Sequence, residues 1–447
     1  MAVRESSWRR EPRGFETRSS PHSAPRARVA TRILLLGITV LLMFAVLALG
    51  ATQPWAVFAL EAGAVFLLVI WGAQQVWSQC LEVVSSPLYL PGLLFGALVA
   101  LQLVLRLSAY PYASTVEAQR LAAFAILFFL VVQVSRTAAN VRLLGWMVTV
   151  FGSAVAMFSL VQSLTFNGRI YWVWQTGDLG VAVVYGPYVN HAHYSGLMEM
   201  LAPFPLVLAI SEFLSRPVRF LCGFAAALMG ATIFLSKSRG GIIAFLLELV
   251  LLGMFIALQR RHRSTLKWFL PFAAVVVVLG WLGGTSTYHH LATFRDPLQP
   301  SLAGFRLNIV HDSFKMIAEK PVLGWGLGTF PSVYPQFRSS YTSFFINQAH
   351  NDYLQVLVET GVVGLVFVLW FVARLYRAGL AQVDRWWRDR TQAVKLAALV
   401  GCTGLLIHSF GDFNLHIPAN AAWFYVLAAV ASTRTEERGY RDPGRLG

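Results

Sequence analysis

Apolar runs of roughly 16 to 23 residues recur from one end of this chain to the other, and no other feature limits the fold as much. A run of that length crosses the hydrocarbon core of a bilayer as one helix. A helix satisfies its own backbone donors and acceptors where no water can. The runs lie near 33–50, 55–74, 88–105, 118–134, 142–164, 192–211, 218–235, 240–258, 267–283, 353–373, 393–409 and 418–433, the last being short. Only 13% of the 447 residues are charged, about half the share usual in a soluble domain. The expected fold class is all-α: a polytopic transmembrane helix bundle of about twelve helices with one large, partly helical loop. No internal repeat is visible.

Five segments follow. Residues 1–30, rich in Arg, Ser and Pro, read as a disordered basic tail. Helices one to nine occupy 31–283, a large loop 284–352, helices ten to twelve 353–433, and a second tail 434–447. The first apolar run resembles a signal peptide but has no convincing small-residue cleavage site after it, so it reads as a retained helix.

The net charge of +15 raises the question of nucleic acid. The basic residues, however, form no single stripe. They collect in every second loop: "SRTAANVR" (135–142), "SRPVR" (215–219), "QRRHRSTLK" (259–267), "RLYRAGLAQVDRWWRDR" (374–390) and the tail "RTEERGYRDPGR" (434–445). Only the loop 75–87 of that set lacks Lys and Arg. This alternation follows the positive-inside rule and makes both termini cytoplasmic, with no nucleic-acid partner. Cys80, Cys222 and Cys402 are far apart. They match neither a metal site nor a disulfide framework and are expected as small buried apolar residues.

Two stretches break the charge pattern. "SKSRGG" (236–241) falls on the far side yet holds Lys237 and Arg239. The loop 284–352, on the same side, holds Arg295, Arg306, Lys315, Lys320 and Arg338. Ser236 or Ser238 can cap a helix starting near Gly240, whose free N–H groups can receive an anion. Arg239 adds a planar fork suited to phosphate. The plainer reading is a snorkelling arginine beside a tight turn. Within the long loop, residues 305–318 have helical amphipathic spacing, with Phe305, Ile309, Met316 and Ile317 against Arg306, His311, Asp312 and Lys315, and Pro321 stops the helix. Arg306 is either a second phosphate ligand or an ordinary solvated charge. "GWGLGTF" (324–330) lacks dinucleotide-fingerprint spacing; it reads as a tight turn bringing backbone to the membrane surface or a ligand.

"QAHNDYLQVLVETGVVGL" (348–365) opens the next span with a polar head. His350, Leu354, Leu357, Gly361 and Gly364 share a helical face, and the glycines allow close packing. His350 can take a proton near neutral pH, or it can be structural. "YGPYVNHAHYSG" (185–196) adds Asn190, His191 and His193, without the carboxylate or Cys a metal would want. "HSFGDFNLHIPAN" (408–420) adds His408, Asp412, Asn414 and His416. Glu61, Glu199, Glu248 and Glu359 lie within apolar runs. Such carboxylates default to a functional hypothesis, with satisfaction by neighbouring helices as the alternative.

Taken in order, "SKSRGG", "R…PVLGWGLGTF" and "HNDYLQVLVETGVVGL" resemble the O-antigen ligase and polymerase superfamily, with a likeness running from about 185 to 430. The resemblance implies a metal-independent glycosyltransferase without cofactors, multi-pass in the bacterial inner membrane. It moves a glycan from an undecaprenyl-diphosphate carrier to an acceptor, the lipid A core sugar in the ligases, at the periplasmic face. In the polymerases the acceptor is another carrier-linked repeat, and relatives glycosylate proteins. By motif, Arg239 and Arg306, with Lys237 beside them, take the diphosphate, and His350 is the catalytic residue. Asn190, His193, Asn351, Asp352 and Asp412 are candidates for glycan or acceptor contacts. A secondary transporter is the alternative from another class, although its key polar groups belong near the midplane of inverted repeats.

Overall fold

The computed structural model describes residues 23–175, 184–259, 302–340 and 345–435. They form helices α1 (Ser23–Leu47), α2 (Pro54–Ser78), α3 (Tyr89–Val104), α4 (Pro111–Val134), α5 (Ala138–Leu164), α6 (His191–Leu201), α7 (Pro203–Ile210), α8 (Arg216–Leu235) and α9 (Arg239–Leu258). After the large loop's α10 (Leu302–Glu319) and α11 (Phe330–Val333) come α12 (Asp352–Leu380), α13 (Arg390–His408) and α14 (Pro418–Ser432). There is no strand among the described residues. Eleven of the twelve expected runs fall on helices. The run 267–283 lies outside the described residues. Nine helices among the described residues are long and apolar enough to span, α6 and α7 counting as one broken at Pro203. The chain is thus a multi-pass helical bundle, and α1 begins at Ser23, inside the stretch expected as a tail.

Contacts sort the connecting loops into two sets, one at each end of the bundle. At one end the Leu47 carbonyl accepts from Tyr171, the Ala109 amide donates to Trp325, and the Asp352 amide donates to Ser409. At the other, Gln133 bonds the Val84 backbone, the Glu212 amide donates to Trp387, and Trp386 donates to Gln259. These are alternate loops of the chain, as the charge pattern required. The central column is α6–α7, whose spanning window is 94% buried. It is packed between α13 and α9 and against the alanine-rich α14, whose small side chains permit close approach.

The helix α12 departs from a simple span. Gly361 has φ 64° and ψ −171°, which breaks the helical ladder. That conformation suits glycine because it lacks Cβ. The freed groups are paired by the glycine loop: Trp325 N donates to Val358 O, Gly326 N to Glu359 O, and Val362 N to Pro321 O, at 3.0, 2.8 and 2.9 Å. Gln102 of α3 closes the break by donating to Leu323 O and Glu359 O. The Glu359 carboxylate accepts from Gly328 N and Phe330 N, capping α11. The loop "GWGLGTF" therefore brings its backbone to a broken helix. Glu359 is satisfied by that loop, and Gly361 meets the loop rather than a helix face.

Two further expectations change. Asp312 is fully buried, not on the solvated face of α10. It accepts from Ser339 N, Ser339 Oγ, Tyr334 and Lys315, so it staples the return loop to α10. Burial alone would raise its carboxyl, but Ser339 and Lys315 outweigh that and hold it below the ordinary range. Cys222 and Cys402 are buried as expected, while Cys80 is exposed, and all three are free.

Candidate active site

Three spans begin at the same end of the bundle, each capped by a side chain that relieves an orphan helix N–H. Asn190 accepts from Ala192 N at 2.8 Å, Ser238 from Gly241 N at 3.2 Å and Asn351 from Leu354 N at 3.0 Å. At that end α13 stops at His408, and the chain turns through 409–417 into α14. The turn is sewn to the start of α12. Asn351 donates to Phe410 O at 3.0 Å, and Asp352 takes Leu415 N at 3.1 Å and the His416 ring at 2.7 Å.

Asp412 lies at the centre of this end, only 4% exposed. Three imidazoles from three segments face it. His193 Nε2 and His350 Nδ1 are each 3.9 Å from Oδ1, and His408 Nε2 is 4.0 Å from Oδ2. These distances exceed hydrogen-bond length but lie within strong Coulombic reach. None of those three ring nitrogens has another partner among the described residues. The rings of His193 and His350 stand edge-on to Phe413, at 4.8 and 5.0 Å between centroids, which fixes their planes. Burial alone would raise the Asp412 carboxyl. His350, His193, His408 and the Phe413 amide outweigh it and hold the group well below the ordinary carboxylate range.

The arginines approach from the rim. Arg306 donates to Gly411 O at 3.1 Å, one residue from Asp412. Arg239 is the first residue of α9, and the next residue, Gly240, abuts His408: a Cβ there would sit 2.9 Å from His408 Nε2. Gly240 thus admits a neighbouring side chain. Lys237 is exposed on a left-handed turn at φ 61°. His350 is also left-handed, at φ 52°, and precedes α12 instead of lying on its face. Its side chain is 27% exposed, so one edge faces Asp412 while the other stays open.

Of the residues singled out by sequence, His193, His350 and Asp412 converge directly, and Arg306 joins through Gly411. Asn190, Asn351 and Asp352 stand around them with their side chains engaged in caps or pairing. Sequence reasoning did not find the pair His408 and Glu199, whose ring Nδ1 and Oε1 lie 3.1 Å apart, both buried. A carboxylate within an apolar run, and a histidine four residues before Asp412, were the available signals. Among the described residues no group of three or more His, Cys, Asp or Glu side chains is arranged to hold a metal ion.

A multi-pass helical bundle with three imidazoles, two of them buried, around one carboxylate, and with arginine nearby, defines a membrane protein with a polar site at one end of its helices. Residues 224–369 match the family model described as O-antigen ligase. That match identifies the segment as a domain of the O-antigen ligase superfamily. No curated protein matches the chain. The matched segment carries Arg239, Arg306 and His350, while His193, His408 and Asp412 lie outside it.

Proposed function

We propose that the protein is an O-antigen ligase-type glycosyltransferase. It moves a glycan from an undecaprenyl-diphosphate carrier to a hydroxyl of the lipid A core, at the periplasmic face of the bacterial inner membrane and without a metal. The observation that carries this reading is the meeting of His350 with Asp412 at 3.9 Å, beside Arg306 and the start of α9.

The chemistry follows from the residue types. The acceptor hydroxyl gives its proton to the open ring nitrogen of His350, Nε2, because Nδ1 faces Asp412. The acceptor oxygen then bonds to the anomeric carbon, and the bond from that carbon to the carrier diphosphate breaks. The diphosphate leaves with the electron pair. Arg239 and Arg306 meet its growing charge as planar, bidentate donors, with Lys237 as a further cation. Asp412 stabilises the imidazolium of His350, an attraction magnified by low local polarity. Base catalysis of this kind typically contributes about 10²–10⁴-fold. Protein-side hydroxyl acceptors and a second carrier-linked repeat fit the same step.

The test is a transfer assay with purified protein, a lipid-linked glycan and three acceptors in parallel: lipid A core, a carrier-linked repeat and an acceptor peptide. Transfer to lipid A core alone supports the ligase reading. Transfer confined to either other acceptor replaces it, and no transfer to any of them overturns it.

A further inference from the structure

We infer that the end of the bundle opposite the histidine cluster holds a binding site for a phosphate-bearing anionic headgroup, supplied by a membrane lipid. A cavity of about 1110 Å³ lies there between the far ends of α12 and α14, the start of α13 and the loop before α3. Its walls include Arg374, Arg377, Lys395 and Arg434 against the carboxylates of Asp384 and Asp389. Four cations facing two carboxylates leave two positive charges uncompensated among the described lining residues.

The two carboxylates are also committed elsewhere. Asp389 caps α13, accepting from Thr391 N at 2.7 Å and Gln392 N at 3.0 Å. Asp384 is exposed and leans on Arg385 at 3.8 Å. On the basic side, Arg374 is fixed to the wall by Nε to Pro87 O. Arg377 and Arg434 have no hydrogen bond or ion pair among the described residues, which leaves two guanidinium forks for phosphate oxygens.

Lys395 gives the strongest indication. It is 2% exposed, and its ammonium donates to Gln382 Oε1 at 2.6 Å, Thr433 O at 2.7 Å and Thr435 Oγ1 at 3.3 Å. Every proton is used, yet every acceptor is neutral, and no described carboxylate comes within ion-pair distance of it. A buried ammonium with neutral partners only is costly unless an anion lies near. Asp389 supplies part of that counter-charge from beyond ion-pair distance, and a phosphate in the adjoining cavity would supply the rest.

The surroundings favour a lipid as the source. The cavity lies at the ends of α12, α13 and α14, and basic pockets between helices at the level where they would leave a bilayer take phospholipid headgroups. Leu90 and Leu93 on α3, which follow the lining residue Pro87, and Leu380, next to the lining residue Ala381, are exposed and would offer apolar contact to acyl chains.

The test is native mass spectrometry of the detergent-solubilised full chain, titrated with diphosphatidylglycerol, phosphatidylcholine or inorganic phosphate. Diphosphatidylglycerol should bind, and Arg377→Gln/Arg434→Gln should weaken it about tenfold or more. Arg377→Lys/Arg434→Lys, which keeps the charges but loses the forks, should weaken it less than the Gln pair does, and Arg385→Gln, outside the cavity, should change nothing. These variants guard against a loss caused by misfolding. If inorganic phosphate binds as tightly and is lost in the same double variant, the site is real but its ligand is a free phosphate, and the lipid source falls. Equal binding of phosphatidylcholine, or binding indifferent to the double variant, overturns the proposal.

Discussion

Asp352 and His416, 64 positions apart, meet at 2.7 Å and join the first turn of α12 to the entry of α14. Burial alone would lower the His416 imidazole. The bond to Asp352 and the fields of Asp352, Glu359 and Glu117 outweigh it and push its pKa up to about 9. A raised value means that the charged pair stabilises the fold fully below the unfolded value of about 6.5 and loses its effect as pH rises through about 9. His416→Gln should therefore cost about 1.5–3 kcal/mol in mild acid, the scale of a bond between charged groups. Thermal unfolding in detergent should show the wild type and variant converging above about pH 9. A gap that stays constant across this range would mean that the ring acts by packing and not by charge.

Gly361 should tolerate no side chain. A Cβ there would lie 2.2 Å from Val322 O and 2.6 Å from Leu323 N, both backbone atoms that cannot swing aside. Its φ of 64° with ψ of −171° lies in a region essentially confined to glycine, which adds strain of about 1–3 kcal/mol for any other residue. Gly361→Ala should cost more than about 3 kcal/mol in all, with sharply reduced yield in membranes. Wild-type yield and melting temperature would mean that the glycine loop and the helix break part easily.

What could be read from sequence divides along physical lines. The helices were legible because each needs only its own apolar run, and the Ser238 cap because it acts three residues away. The break in α12 was not legible. A glycine within an apolar run also fits an unbroken helix, and the groups that fill the break come from Pro321 to Gly326. Asp312 looked solvated because periodicity on α10 says nothing of the loop that returns at Ser339. His408 and Glu199 are 209 positions apart, so only the fold reveals their pairing. The motif residues Arg306, His350 and Asp412 could be named, but their meeting depends on the 409–417 turn reaching both segments.

The alternation of loops predicts the membrane orientation. In a Cys80→Ser background, which removes the exposed native thiol, cysteine is placed at Ser340 or at the exposed Asp384. A membrane-impermeant reagent applied to intact spheroplasts should label Ser340→Cys and spare Asp384→Cys. The reverse pattern would invert the bundle and move the histidine cluster to the cytoplasm.

Arg239 and Arg306 separate charge from shape. Arg→Lys keeps the positive charge but loses the planar fork that grips two oxygens at once. Each single Lys variant should lose transfer by about 10²-fold, the scale of removing one preorganised donor, with normal membrane insertion. If both act on one diphosphate, the double variant should lose much less than the product of the two single effects, because their shared ligand couples them. Near-wild-type transfer in Arg239→Lys would reduce that residue to a snorkelling arginine at a helix start.

His350 is the sharpest case, since one edge faces Asp412 and the other is open. His350→Ala should lower transfer by about 10²–10⁴-fold, the usual contribution of a general base. Binding of the lipid-linked donor should survive, because the arginines and not the imidazole would hold its diphosphate. His350→Gln should not restore the rate: an amide can orient a hydroxyl but cannot usefully take its proton. Asp412→Asn should behave differently. It keeps the shape and leaves His350 in place, but it removes the charge that would stabilise an imidazolium 3.9 Å away. Its loss should fall on the turnover rate, with little change in donor binding. Transfer retained in His350→Gln, measured alongside an inactive His350→Ala, would make the residue an acceptor-orienting hydrogen-bonder and leave departure of the diphosphate as the step the protein accelerates.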